Sequence, residues 1–220
     1  DRHFVTPMIA VAGSVADEIV SSMVHVAGLE SCYVNNGGDI AIQLNHGGEI
    51  RIGIIPLDTV QPGAVDIITH GSGIGGVATS GWRGRSHSLG IADSVTVLAK
   101  TAAMADTAAT LIANAVDVDV PQVKRVPAVD IDPDSDLGGR LVTLEVGALD
   151  AESRARALGR GRDLALDFLE RGLVIEAYLY LQEGFAGVGP DENSFARERA
   201  RTACNHALVG ARSRANDVSV

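Results

Sequence analysis

Small and apolar residues dominate "TPMIAVAGSVADEIVSSMVHVAG", residues 6–28, with Asp17 and Glu18 punctuating one face and Gly28 as a stop, which predicts a helix. The period then drops to two. A strand over 31–34 and another over 40–44 flank the polar stretch Asn35-Asn36-Gly37-Gly38-Asp39. Asn and Gly tolerate the positive φ of a tight hairpin turn, so this stretch predicts one. "NHGG" at 45–48 predicts a second hairpin turn, leading into the alternating "EIRIGIIP". "VDIITH" and "GVATSG" are further short strands. "SVTVLAK" (94–100) is another, running straight into "TAAMADTAATLIANAV" (101–116), a helix of good formers with a repeating apolar face. After the acidic loop "VPAVDIDPDSDLGGR" come a strand, "LVTLEVG", and a charged amphipathic helix, "DAESRARALGRGRDLALDFLERG", capped by Asp150 or Ser153. "LVIEAYLYLQEG" closes the core as a strand. Strands and helices alternate irregularly, which predicts an α+β fold with a largely antiparallel sheet and packed helices. The main domain is expected over 1–189, and the polar, charged stretch 190–220 as a peripheral helical tail with a loose end.

Composition narrows the function classes. At 220 residues with 46% apolar content, the chain can bury a substantial core. A formal net charge of −10 argues against a nucleic-acid or anionic-membrane surface as the main function. Cys32 and Cys204 make neither a disulfide framework nor a zinc site, and read as reduced thiols in a reducing compartment, the cytoplasm. No apolar run reaches the length that spans a bilayer, and no signal peptide is visible. Beginning with Asp instead of Met, the chain is expected to be a piece of a longer precursor.

Four stretches carry candidate chemistry. In "GSGIGG", Gly71, Gly73 and Gly76 fit the dinucleotide-binding spacing, but "VATSGW" follows where a helix must, so a glycine-rich strand edge is the reading. "DIDPDSDLGG" alternates its aspartates like a calcium loop yet lacks the glutamate at the twelfth position, which leaves a solvated acidic turn. In "MADTAATL", Asp106 and Thr110 project from one face of the helix, one turn apart, and could offer hard oxygens to Mg²⁺. The same spacing suits a Thr that bonds back to its own turn and an Asp that faces solvent. In "ATSGWRGRSHSLG", Arg83, Arg85 and His87 form the densest basic cluster of an acidic chain. It reads either as an ordinary surface loop or as a receiver of a phosphate with His87 as general base.

Taken in order, these pieces resemble the ApbE-type flavin transferase family. "NNGGDI" is similar to its Asn-Ala-Gly-Gly-Asp-Ile loop, "ATSG" with a downstream His to its Thr-Ser-Gly strand, and "SVTVLAKTAAMADTAAT" to its segment ending in Ala-Asp-x-x-x-Thr. "AVAGSVADEI" is a weaker match to its Lys-Gly-x-x-x-Asp helix, and the likeness covers roughly residues 6–116. The resemblance implies an enzyme that binds FAD and Mg²⁺, cleaves the diphosphate, and attaches FMN to a Thr or Ser hydroxyl of an acceptor protein. By match, Asp106, Thr110 and the Ala16 carbonyl are expected to hold the metal. Asp17, Asn35, Gly37, Gly38 and Asp39 are expected to line the flavin nucleotide site (FAD or FMN), with Thr79 and Ser80 nearby. His87 corresponds to the base that accepts the hydroxyl proton.

The chain departs from the family pattern in two places. Ala12 stands where the family has lysine, and "SLGIADS" follows the histidine without the family's proline. The expectation is therefore a short branch without an export signal, with a non-catalytic flavin or nucleotide binding protein as the alternative. A structural homo-oligomer is a third reading, since Ala/Gly-rich helix faces suit subunit packing. The expected partners are a flavin nucleotide and an acceptor protein, with no nucleic acid and no membrane.

Overall fold

Pro7 opens a 3₁₀ turn, Pro7–Ala10, that runs into helix α1, Val11–Val24, in the computed structural model, which describes residues 4–26, 29, 31–54 and 64–190. Gly28, Cys204 and all of the expected tail except Pro190 lie outside the described residues. Strands β1 (Ser31–Asn36) and β2 (Asp39–Leu44) follow, then β3 (Glu49–Ile54) and β4 (Ala64–Thr69), β5 (Gly76–Ser80) and β6 (Ser94–Ala99). Helix α2 (Ala102–Ala115) leads to β7 (Val123–Pro127), the short helix α3 (Ala128–Ile131) and β8 (Leu141–Val146). Helix α4 (Ala151–Glu170) precedes β9 (Glu176–Leu181) and β10 (Gly184–Val188).

Among the described residues the main sheet has six strands in the order β1-β2-β5-β6-β9-β10, and every neighbouring pair is antiparallel. Strand alternation splits its side chains between two layers. Val95, Val97, Ala177, Leu179 and Leu181 face a core shared with α2 and α4. Ile42, Val77, Leu98 and Tyr178 face the other way, against Ile54 and Ile68 of the β3–β4 ribbon. Ala16 and Val20 of α1 pack with Cys32, Ala41 and Ala102. Cys32 is buried and its thiol is free.

The Asn-Gly stretch is the hairpin its composition predicts. Asn36 pairs with Asp39, and Gly37 (φ +72) and Gly38 (φ +116) occupy the positive-φ positions that such a turn requires. "NHGG" corrects the second hairpin expectation. Gly48 N–H donates to the Asn45 carbonyl (2.8 Å), so a turn forms, but β2 already pairs with β1 and β5 on its two edges. With no edge left, β3 leaves the sheet and pairs with β4 as a separate ribbon over its face.

Among the described residues one helix is long and apolar enough for comparison with a membrane span. By length and composition Pro7–Val24 could cross a bilayer, with a mean hydropathy of 1.3. In the fold its small residues Gly13 and Ala16 sit against α2, while Val15 and Ile19 are exposed.

Two carboxylates join α1 to α2. Asp17 accepts from the amides of Ala102 and Ala103 (2.9 Å each), capping α2 beside the Thr101 hydroxyl, which accepts from Met104 N–H (3.2 Å). In return Gly13 N–H donates to Asp106 Oδ2 (3.0 Å). A Cβ at residue 13 would lie 2.4 Å from the Ala102 carbonyl oxygen, so the approach requires glycine. Replacing Asp17 with Ala should lower the unfolding free energy by about 1–3 kcal/mol, because two half-buried amides lose a charged acceptor. Urea unfolding reads this directly; an unchanged midpoint would contradict the capping role.

Candidate functional site

One face of α2 supplies a polar stripe at four-residue spacing, Asp106, Thr110 and Asn114, and all three line a cavity of about 590 Å³. Asp39, the first residue of β2, faces the same side of the sheet as Ala41 and joins that wall. Arg85, Ser86, His87 and Leu89 come from the loop after β5. The apolar side is Phe4, Val5, Met8, Ile9, Val11 and Ala12 from the N-terminal turn. The loop after α3 closes the rim with Asp132, Asp134, Ser135, Asp136 and Leu137.

The loop bearing His87 is fastened at both ends. Buried Asp93 accepts from Trp82 Nε1 (3.1 Å) and from the Gln182 amide, and pairs with Arg83 Nε (3.1 Å). Asn114 Oδ1 accepts from Ser88 Oγ (3.1 Å) and Leu89 N–H (2.9 Å). Thr143 of β8 adds its N–H to the Ser88 carbonyl (2.9 Å) and its hydroxyl to the Gly90 carbonyl (2.8 Å). His87 is thus presented by a braced loop whose position depends on α2 through Asn114.

Electrostatics single out the two inner carboxylates. Burial first, and then the nearby charge of Asp106, push the Asp39 carboxyl up to about 6 against the opposing charge of Arg85. Burial likewise raises Asp106, against the Gly13 amide, which favours its charged form. Asp106 is therefore neither fully solvated nor bonded within its own helix. Its carboxylate spans the gap between α1 and the cavity.

The structure brings Asp39, His87, Asp106 and Thr110 into one cavity. The other residues matched to the family are not among those that line it. Asp17 has both oxygens on the N-terminus of α2, and Ala16 is fully buried in the middle of α1, where backbone carbonyls serve the helix itself. Thr79 shares the ribbon-side face with Val77 and bonds Thr96 across the strands (2.8 Å); neither it nor Ser80 lines the cavity. Asn35 accepts from Gly38 N–H (2.8 Å), fixing the hairpin turn, while Asn36 Nδ2 donates to the Ala12 carbonyl (3.1 Å). Of the basic cluster, Arg83 is tied to Asp93, and Arg85 and His87 line the cavity.

The part that four lining residues take in the cavity escaped the sequence reading. Asn114 was legible only as the next position of the Asp106–Thr110 stripe. Asp132, Asp134 and Asp136 were read as a solvated turn, and they are exposed, but they form the cavity rim.

A raised folded pKa means that the folded protein holds the Asp39 proton more tightly than the unfolded chain does. That stabilisation is present below about pH 4 and is lost as pH rises through about 6. Relative to Asp39→Asn, the wild type should therefore gain stability as pH falls from 7 to 4, measured by denaturant unfolding across that range. A constant difference would contradict the burial of Asp39.

The family described as AbpE bacteria matches residues 1–193. A UPF0280 protein of Methanothrix thermoacetophila is 38% identical over 130 residues, covering 58% of this chain and 53% of the relative. A UPF0280 protein of Methanothermobacter thermautotrophicus is 40% identical over 113 residues, covering 50% of this chain and 42% of the relative. The chain thus spans about half the length of the curated relatives it matches. The crystal structure of the ApbE protein from Thermotoga maritima superimposes with a TM-score of 0.52 at 18% identity, over 87% of this chain and 52% of that one. That likeness establishes the α+β fold with its antiparallel sheet. By the match over residues 1–193, the chain belongs to the ApbE-like family.

Proposed function

We propose that this chain is a Mg²⁺-dependent transferase that cleaves the diphosphate of FAD and moves FMN to a Thr or Ser hydroxyl of an acceptor protein. The observation that carries this reading is the convergence of Asp39, His87, Asp106 and Thr110, distant in sequence, on one cavity. Family membership supports a flavin-transferase-like activity.

The donor set fits the metal. Asp106 and Thr110 would hold Mg²⁺, with Asp39 close enough for its carboxyl to feel the charge of Asp106. Mg²⁺ is commonly bound through one or two carboxylates plus waters and substrate phosphates. When bound, the ion would offset the charge that develops on the diphosphate as AMP leaves. His87 would accept the proton of the acceptor hydroxyl as its oxygen attacks the FMN phosphorus. The apolar wall from Phe4 to Val11 would take a planar ring and exclude water from it.

One observation favours a second reading, a flavin or nucleotide binding protein without transfer activity. Ala12 lines the cavity with a methyl group where the family carries lysine, so one cation that could meet a phosphate is missing. Incubation with FAD, Mg²⁺ and a Thr-containing peptide separates the two: AMP release or a flavinylated peptide eliminates the second.

Isothermal titration should show FAD, FMN or ADP binding in the presence of Mg²⁺; no binding of any of them would overturn both readings. Asp106→Asn should weaken Mg²⁺-dependent binding by about tenfold or more, because an anionic ligand is removed. His87→Ala should lower turnover by about 10²- to 10⁴-fold with binding retained. Lost binding with surviving turnover would make His87 a ligand contact instead of a base.

A further inference from the structure

The cavity is acidic: Asp39, Asp106, Asp132, Asp134 and Asp136 all line it. Arg85 is the one lysine or arginine among its lining residues, and Arg140 stands behind the wall on the ring of Phe4. Among the described residues the Arg85 guanidinium makes no hydrogen bond and no ion pair within 4.0 Å, in contrast to Arg83 on Asp93. Its donors are therefore free to face a ligand. The end of the side chain lies against the hairpin tip: a Cβ built on Gly37 would lie 1.9 Å from Arg85 Nη2 and 3.2 Å from Cζ. The guanidinium occupies the volume that a side chain at the hairpin tip would fill. The tip itself is held by the bond from Gly38 N–H to Asn35 Oδ1.

We propose that Arg85, seated in the notch left by Gly37, is the phosphate-binding residue of this cavity and receives an oxygen of a phosphate anhydride, while the inner carboxylates face its counter-cation. The proposal rests on the nucleotide reading of the same cavity and adds which atoms take the diphosphate. A planar guanidinium presents paired donors that match phosphate oxygens, which a lysine does not. Gly37 acts through Arg85 and is a positioning residue: any side chain there pushes the guanidinium aside. This gives the glycine pair of the hairpin a second duty beyond its positive φ.

Calorimetric titration with inorganic diphosphate in Mg²⁺ tests it, using the wild type, Arg85→Gln, Arg85→Lys, Gly37→Ala and the double variant Gly37→Ala/Arg85→Gln. Arg85→Gln should weaken diphosphate binding by about tenfold or more, and Arg85→Lys should restore part of it. Gly37→Ala should weaken binding when Arg85 is present and add nothing when Gln stands there, a non-additivity that mere loss of stability would not produce. Additive effects would overturn the role of Gly37, and wild-type affinity in Arg85→Gln would overturn the proposal. A parallel titration with FAD keeps the two readings apart. FAD bound equally by wild type and Arg85→Gln removes the phosphate seat and leaves the flavin reading. Arg85-dependent diphosphate binding without FAD binding does the reverse, and no binding of either removes both.

Discussion

The clasp of carboxylates and amides between α1 and α2 is the contact on which the rest of the site depends. Asp17 reaches from α1 to the first free amides of α2, and Asp106 reaches back from α2 to Gly13. Each helix start otherwise leaves amide donors without intrahelical partners, so each carboxylate satisfies a need created by the other helix. The negative charge of Asp17 also sits where the α2 dipole favours it. Glycine at position 13 lets the two backbones come close enough for both bonds to form at once.

Once α2 is placed, its polar stripe orders the cavity. Asp106 and Thr110 face the inner wall, and Asn114, one turn further on, holds the loop that carries His87. The hairpin supplies Asp39 from the sheet side, and the Arg85 guanidinium lies against Gly37 at its tip. The same helix therefore sets the inner oxygens and the position of the loop that carries His87. The ribbon face of the sheet takes no part, which is why Thr79 falls outside the cavity.

Much of this was legible in the sequence, and the failures have physical causes. Local signals read well: the Asn-Gly hairpin, the long apolar strand β6 running into α2, and the Asp150 cap, whose carboxylate accepts from Ser153 N–H (2.6 Å). Strands β7, "VKRVP", and β10, "GFAGV", were not anticipated, since a proline or glycines obscure their alternation. The departure of β3 from the sheet was hidden because pairing is decided by which edges are free, and that is not a local property. The Asp106–Thr110 face was readable from helical spacing. The duty of Asp17 was not, because its partners lie 85 and 86 residues away. The acidic turn is solvated as read, and only its position at the cavity rim was hidden, since tertiary placement alone brings three exposed aspartates there.

The central claim is that a divalent cation and a flavin nucleotide share the cavity beneath α2. Crystals grown with FAD and Mn²⁺ in place of Mg²⁺, with diffraction recorded at the manganese edge, test it most directly. The account predicts an anomalous peak at the Asp106 carboxylate and Thr110 hydroxyl, with the nucleotide phosphates between that peak and Arg85. Nucleotide bound with the peak elsewhere, or a cavity left empty by both at saturating concentration, would contradict it.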